Sequence, residues 1–356
     1  MSSSNVAKEV LWPKDSNILV RAVFLYVGEG SSTIILFADG GGYRSLLVDV
    51  NLDVQNGGID VPKLVADLVE AQGLAAFVNT HPHDDHLRGV TQLSEAVDIA
   101  QVWHSGHRPG KQYEDAYKSL MEVVKKVKDS GGEEVVLLGS RDEKVLGDAK
   151  YFVLAPAEYV ADDIQDEPPD KRYQRIHEQC AVLKFGTEPS WIMTPGDADR
   201  DAFEKHITQY HRERLGAVAL AGAHHGSRTF FRYDEKSDPF LDGLNAIDPQ
   251  YVVLSAPKRE ESPHDHPHAD AVRFYADKVG SDNVLHTGAN RYSYICDIYR
   301  DGTYGGIIDD QGALAEAYPL EEESGGTDQK DGENTKRRAP VIIVPTKIDD
   351  RPMGIE

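Results

Sequence analysis

The chain has 356 residues and an apolar share of 40%, enough to bury a substantial core, yet no apolar run approaches the roughly 18 residues needed to cross a bilayer. A formal net charge of -22 opposes the attraction to phosphate backbones on which most nucleic-acid binders rely, so strong non-specific nucleic-acid binding is not expected. Two cysteines, Cys180 and Cys296, cannot make a disulfide framework, and residues 1–15 lack the apolar stretch of a secretory signal, so a reducing, cytoplasmic location without membrane attachment is the expectation.

Residues 1–16 read as an N-terminal extension. Strands are expected at 18–25, 32–37 and 45–49, separated by the glycine-rich turns at 28–30 and 40–42, which makes an antiparallel opening. Val61, Leu64, Val65, Leu68 and Val69 recur at helical spacing behind Asp60 and Pro62, so 61–71 is a helix with a capped start. A short apolar strand at 75–79 runs directly into His81-Pro82-His83-Asp84-Asp85-His86, which places that run in a loop at the strand's C-terminal end. Helices follow at 90–97 and 113–128, with strands at 99–103, 134–138 and 151–154; the acidic, proline-containing stretch 158–171 reads as an exposed loop.

Beyond it come strands at 181–185 and 191–194, then Gly196-Asp197, a polar helix at 199–214, and a strand at 217–221 entering His224-His225-Gly226-Ser227. A strand at 251–255 precedes His264 to His268, and a helix at 269–277 leads to closing strands at 284–286 and 292–299. The order defines an α+β body over 17–317, two mixed halves whose helices cover the outer sheet faces. Residues 318–338 are polar and lack an apolar period, as a disordered linker does. In the final segment, 339–356, Val341-Ile342-Ile343-Val344 between prolines suits a strand, added either to this body or to a protein partner.

The run from His81 to His86 supplies three imidazoles and adjacent carboxylates within a loop that can turn them toward one point, a donor set suited to Zn(II), with Mn(II) or Fe(II) as alternatives. Further ligands must come from a distance, and Asp197, His177, His224, His225 and His266 all stand at or near strand ends. His104, with His107 behind it, is a rival to His177. His264 and His268 read as solvent-facing loop residues, and Asp49 as either a turn residue or part of the site.

With Thr80 before it and Gly89 after it, the His81–His86 run resembles the signature of the metallo-β-lactamase superfamily. The resemblance implies an αβ/βα sandwich of two mixed sheets with outer helices. It also implies a pair of divalent ions, one on His81 and His83 with His177, the other on Asp85 and His86, with Asp197 bridging both and Asp49 orienting the loop. The motifs at Val27 to Ser32, Gly196-Asp197, His224 to Ser227 and His266-Pro267-His268 are similar to the hydrolase domain of ComEC-type competence proteins over about 18–305. Tyr26, Ser31, Val50-Asn51, His177 and Cys180 depart from that pattern. No stretch matches the membrane channel of those proteins, so DNA uptake is not implied.

On this resemblance His266 is the last ligand of the second ion, with His224 its alternative, and His224 or His225 is the proton donor. Two such ions sharing a hydroxide would cleave a phosphodiester, with Asp85 orienting the nucleophile and accepting its proton. Arg228, Arg232 and Arg291 are candidates to hold phosphate, or are simple surface charges. A nuclease or phosphodiesterase is the leading expectation. The same site would equally serve a small nucleotide, a lactone or another ester or amide, and a metal-containing partner-binding module is the non-catalytic alternative.

Overall fold

Along Ile34-Ile35-Leu36-Phe37 the side chains point alternately to the two faces of a strand, as the twofold repeat of extended backbone requires. Ile34 and Leu36 enter a core shared with helices, whereas Ile35 and Phe37 enter a second core that contains residues of both sheets. The same split recurs at Leu47 against Leu46 and Val48, and it sets the layers of the molecule. A third core, built around Phe152, Trp191, Phe203, Phe230 and Tyr275, closes the opposite outer face.

The computed structural model describes residues 3–320. Its strands are β1 (Ile18–Phe24), β2 (Thr33–Asp39), β3 (Gly42–Val48), β4 (Ala76–Asn79), β5 (Gln101–His104), β6 (Glu133–Val136), β7 (Lys144–Leu146), β8 (Ala149–Ala155), β9 (Val182–Thr187), β10 (Ser190–Thr194), β11 (Ala219–Ala221), β12 (Tyr251–Leu254), β13 (Val284–His286), β14 (Tyr294–Tyr299) and β15 (Ile308–Asp309). One sheet has the order β15-β14-β1-β2-β3-β4-β5-β6, the other β13-β12-β11-β10-β9-β8-β7. In each, antiparallel strands give way to parallel ones: β3 to β6 are parallel in the first sheet, β10 to β13 in the second. The expected α+β sandwich of two mixed sheets with outer helices is therefore what the chain forms.

Local chemistry explains most boundaries. The helix Val61–Val69 starts where the Asp60 carboxylate accepts from the Lys63 amide at 3.2 Å, and it buries Leu64, Val65 and Leu68 against the first sheet. Three segments differ from the sequence-based expectation. Within the supposed N-terminal extension, Ser3–Leu11 is a helix whose Ala7 and Leu11 are fully buried, so it seals the first core. The stretch read as an acidic loop holds helices Glu158–Asp166 and Pro169–Arg172; Val160 and Ile164, four apart, form a narrow buried stripe that the surrounding carboxylates mask. Tyr318, placed at the start of the expected linker, is buried, and its backbone carbonyl accepts from the Asp60 amide at 3.0 Å. The remainder of that linker and the segment 339–356 lie outside the described residues. Among the described residues, no helix is long and apolar enough to cross a membrane.

The third core contains a buried cation. Lys184 on β9 is 1% exposed; its ammonium donates to the carbonyls of Arg214 and Gly216 and lies 5.2 and 4.5 Å from the ring centres of Phe152 and Trp191. Burial pulls its pKa from 10.5 down to about 8. Between those values the unfolded chain binds the proton and the folded chain does not, so stability rises with pH across that window. Relative to Lys184→Met, the wild type should gain up to about 3 kcal/mol between pH 8 and 10.5, read from urea unfolding at each pH. A constant gap between the two proteins would show that Lys184 titrates normally.

Candidate metal centre

The parallel strands of both sheets deliver side chains to one end of the sandwich. His81 to His86 follow β4, His177 lies ahead of β9, Asp197 follows β10, and His224 and His225 follow β11. Gly196, at φ +53°, makes the turn that brings Asp197 inward, and a Cβ there would meet Cys180 Sγ and Thr80 at 2.7 Å, so the position demands glycine. His224 and His225 both take left-handed backbone, φ +49° and +55°, a costly conformation for consecutive non-glycine residues that aims both rings at Asp197.

Two groups of four ligating side chains result, each with its donor atoms within 4.8 Å of one another: His81, His83, His177 and Asp197, then Asp85, His86, Asp197 and His225. In the first, His81 Nε2 lies 3.0 Å from His83 Nδ1 and 3.5 Å from Asp197 Oδ2, and His177 Nε2 lies 3.4 Å from His83 Nδ1. In the second, His86 Nε2 is 3.1 Å from Asp197 Oδ1 and 3.2 Å from His225 Nε2, which is itself 3.2 Å from Asp85 Oδ2. Asp197 thus turns one oxygen to each group.

Asp49 fixes this arrangement from beneath. Its buried carboxylate accepts from the Thr80 amide at 2.8 Å, the Thr80 hydroxyl at 2.7 Å and the Asn79 side-chain amide at 3.2 Å, and lies 2.7 Å from His86 Nδ1. That bond leaves His86 Nε2 as the nitrogen facing Asp197. On the other side of the cluster, Ser255 O lies 3.1 Å from His225 Nδ1 and orients that ring in the same way.

The electrostatics differ between the two groups. Burial drives His81 well below its ordinary pKa and His83 down to about 3, so both imidazoles are neutral, as ligands must be. Burial also opposes a charge on His86 and His225, but the carboxylates of Asp197, Asp49 and Asp85 outweigh it at His86, and those of Asp197 and Asp85 raise His225 to about 9. Asp197 is held well below the carboxylate range because its histidine neighbours, the charged His86 foremost, outweigh its burial. The neutral rings of His81 and His83, whose nitrogens face one another across 3.0 Å with a carboxylate beside them, are stabilised when a cation takes up their lone pairs.

Most of the residues singled out from the sequence meet here, but not all in the expected places. His225, which with His224 was the favoured proton donor, belongs to the second group. His266, expected as its last ligand, belongs to neither; its Nδ1 lies 3.1 Å from Glu29 Oε1. His224 flanks both groups, with Nε2 3.5 Å from Asp197 Oδ2 and Nδ1 2.9 Å from the Thr229 hydroxyl. The rivals to His177 are engaged elsewhere: His104 with Glu134 at 3.2 Å, His107 with Gln179 at 2.7 Å. Arg228 pairs with Glu235 at 2.7 Å, and Arg232 with Asp270 at 3.3 Å.

Sequence reading assigned no role to Glu29, which stands between two glycines ahead of β2, or to Tyr113, whose ring centre is 4.2 Å from that of His83. An acid between glycines in a loop was the available signal for the first; nothing marked the second. The groups form the floor of a cleft of about 610 Å³, rimmed by Glu29, Asp53, Arg88, Tyr113, His264 and His268.

Residues 28–171 match the model of the metallo-beta-lactamase superfamily, the superfamily that the His81–His86 run resembles. No curated protein matches it. Among solved structures, one described as a new diphosphatase from the PhnP family aligns at a TM-score of 0.36 and 15% identity, covering 74% of this chain and 94% of its own. The match is to the superfamily as a whole; the narrower ComEC-type likeness rests on the motifs alone.

Proposed function

We propose that this protein is a dinuclear metal-dependent hydrolase of phosphoric esters. His81, His83, His177 and Asp197 would hold one divalent ion, and Asp85, His86, His225 and Asp197 the other. The observation that carries the reading is the sharing of Asp197 between two four-residue groups at the floor of one cleft. Zinc suits a donor set of imidazole and carboxylate, and manganese and iron take the same donors. When bound, such ions supply Lewis acidity toward a phosphoryl oxygen and toward an attacking water.

The chain's own residues supply the rest. Asp85 is partly exposed at the cleft floor, where its carboxylate orients the water and takes its proton as the new P–O bond forms. The bond from phosphorus to the leaving oxygen breaks, and that oxygen needs a proton. His225 is committed through both ring nitrogens, to Ser255 and to the second group, so it is a ligand in this scheme. His266 is the donor: it lines the cleft, stands outside both groups, and is oriented by Glu29, whose carboxylate the imidazole keeps ionised despite its burial. His224 holds its place beside Asp197 through Thr229.

The purified protein should bind about two equivalents of zinc or manganese and turn over bis(p-nitrophenyl) phosphate but neither a lactone nor an anilide. Asp85→Ala and His83→Ala should each lower turnover by at least about 10²-fold, the scale of losing one stabilising group at a reacting centre. Activity on no phosphoester with either metal supplied, or full activity in both variants, would falsify this reading.

A further inference from the structure

We infer that Arg88 makes the cleft selective for small phosphoesters bearing a second phosphate beside the scissile one, an inference that rests on the phosphoesterase reading above. Among the described lining residues, Glu29, Asp53, Asp84, Asp85 and Asp197 are acidic, and Arg88 alone is a lysine or arginine. The chain has 60 acidic and 38 basic residues, so a guanidinium facing an acidic cleft is the one strong anion-binding group there. Arg228 and Arg232, which do not line the cleft, are paired with Glu235 and Asp270. Arg88 makes no ion pair and no side-chain hydrogen bond with any described residue, and it is exposed.

Its backbone is well placed. The Arg88 amide donates to Asp84 O at 2.6 Å, closing the short helix Asp84–Leu87 that carries Asp85 and His86. Behind it, Gly89 at φ +115° packs against Leu52, which fixes the direction of the chain as it leaves the site. Arg88 therefore begins two positions from a histidine of the second group and reaches over the rim, while the scissile group occupies the floor. The planar guanidinium presents paired N–H donors that match a phosphate bidentately.

The same charges exclude longer substrates. A cleft of about 610 Å³ is the size that encloses a small molecule. A polynucleotide would lay further phosphates against Glu29, Asp53 and Asp84, with one arginine to receive them. A single additional phosphate finds Arg88 and leaves the carboxylate wall untouched.

The test compares thymidine 3′,5′-bisphosphate with thymidine 5′-monophosphate by titration calorimetry on the zinc-loaded protein. The wild type should bind the bisphosphate about 10- to 100-fold more tightly, the range of a hydrogen-bonded charge pair. Arg88→Gln should lose that preference, Arg88→Lys should keep part of it, and Arg291→Gln, an exposed cation off the cleft, should keep all of it. Equal affinities in the wild type, or an undiminished preference in Arg88→Gln, would overturn the inference. Turnover of the p-nitrophenyl esters of the same two nucleotides separates the claims. Bisphosphate preference without hydrolysis of either ester leaves Arg88's role standing and removes the hydrolase; hydrolysis without preference does the reverse.

Discussion

Asp197→Ala should leave the protein folded but unable to hold its metal pair, with turnover falling by more than the roughly 10- to 100-fold that follows loss of a residue which merely orients a ligand. The reason lies in the division of its carboxylate: Oδ1 faces His86 and His225 at 3.1 and 3.4 Å, while Oδ2 faces His81 and His224 at 3.5 Å. Alanine removes an oxygen from both groups at once. The Asp197→Asn substitution keeps an acceptor for only one of them, so that variant should retain about one equivalent of metal where the wild type holds about two. Elemental analysis after gel filtration reads both outcomes. Two full equivalents in Asp197→Ala would mean that the groups do not share this residue.

The second large effect belongs to a side chain that faces no substrate. Asp49 is 1% exposed and itself takes a left-handed conformation, φ +57°, at the end of β3. Its carboxylate ties the Thr80 amide and hydroxyl to His86 Nδ1, so the loop and the ring tautomer are set together. Asp49→Asn keeps the shape and loses the charge, and should weaken metal affinity about 10- to 100-fold. Asp49→Ala leaves His86 and Thr80 without their acceptor and should also lower stability by about 3 kcal/mol, as breaking a buried charged pair does. Zinc titration against a competing chelator measures the first and denaturant unfolding the second. Wild-type affinity in Asp49→Asn would reduce Asp49 to an ordinary turn residue.

Much of this was legible in the residues because the chemistry is contiguous. His81 to His86 directly follow an apolar strand, and Gly196-Asp197 follows another, so their place at strand ends could be read without coordinates. The choice between His225 and His266 could not. Both follow adjacent parallel strands of the second sheet, β11 and β12, and chain order does not say which ring turns inward. The left-handed backbone at His224 and His225 turns the His225 ring to Asp197, and no residue type there announces a positive φ. The helix Glu158–Asp166 was hidden for a different reason: only Val160 and Ile164 are buried, too few to outweigh its acidic composition. Strands as short as β7 and β15 carry no period of their own and exist through their neighbours. Arg88 stood in plain view two residues past His86, but its significance depends on a carboxylate-lined wall assembled from distant segments.

Each four-residue group draws on both sheets, and this bears on the order in which the molecule matures. The first half of the chain can present His81, His83, Asp85 and His86 on a single loop as soon as it emerges, but His177, Asp197 and His225 arrive only with the second. A partial set of donors binds an ion weakly and without selectivity. In the dinuclear site proposed above, full chelation would require the two sheets to have closed on each other, so capture of the ion pair would come after docking of the halves and act as a seal on finished molecules rather than as a scaffold for nascent ones.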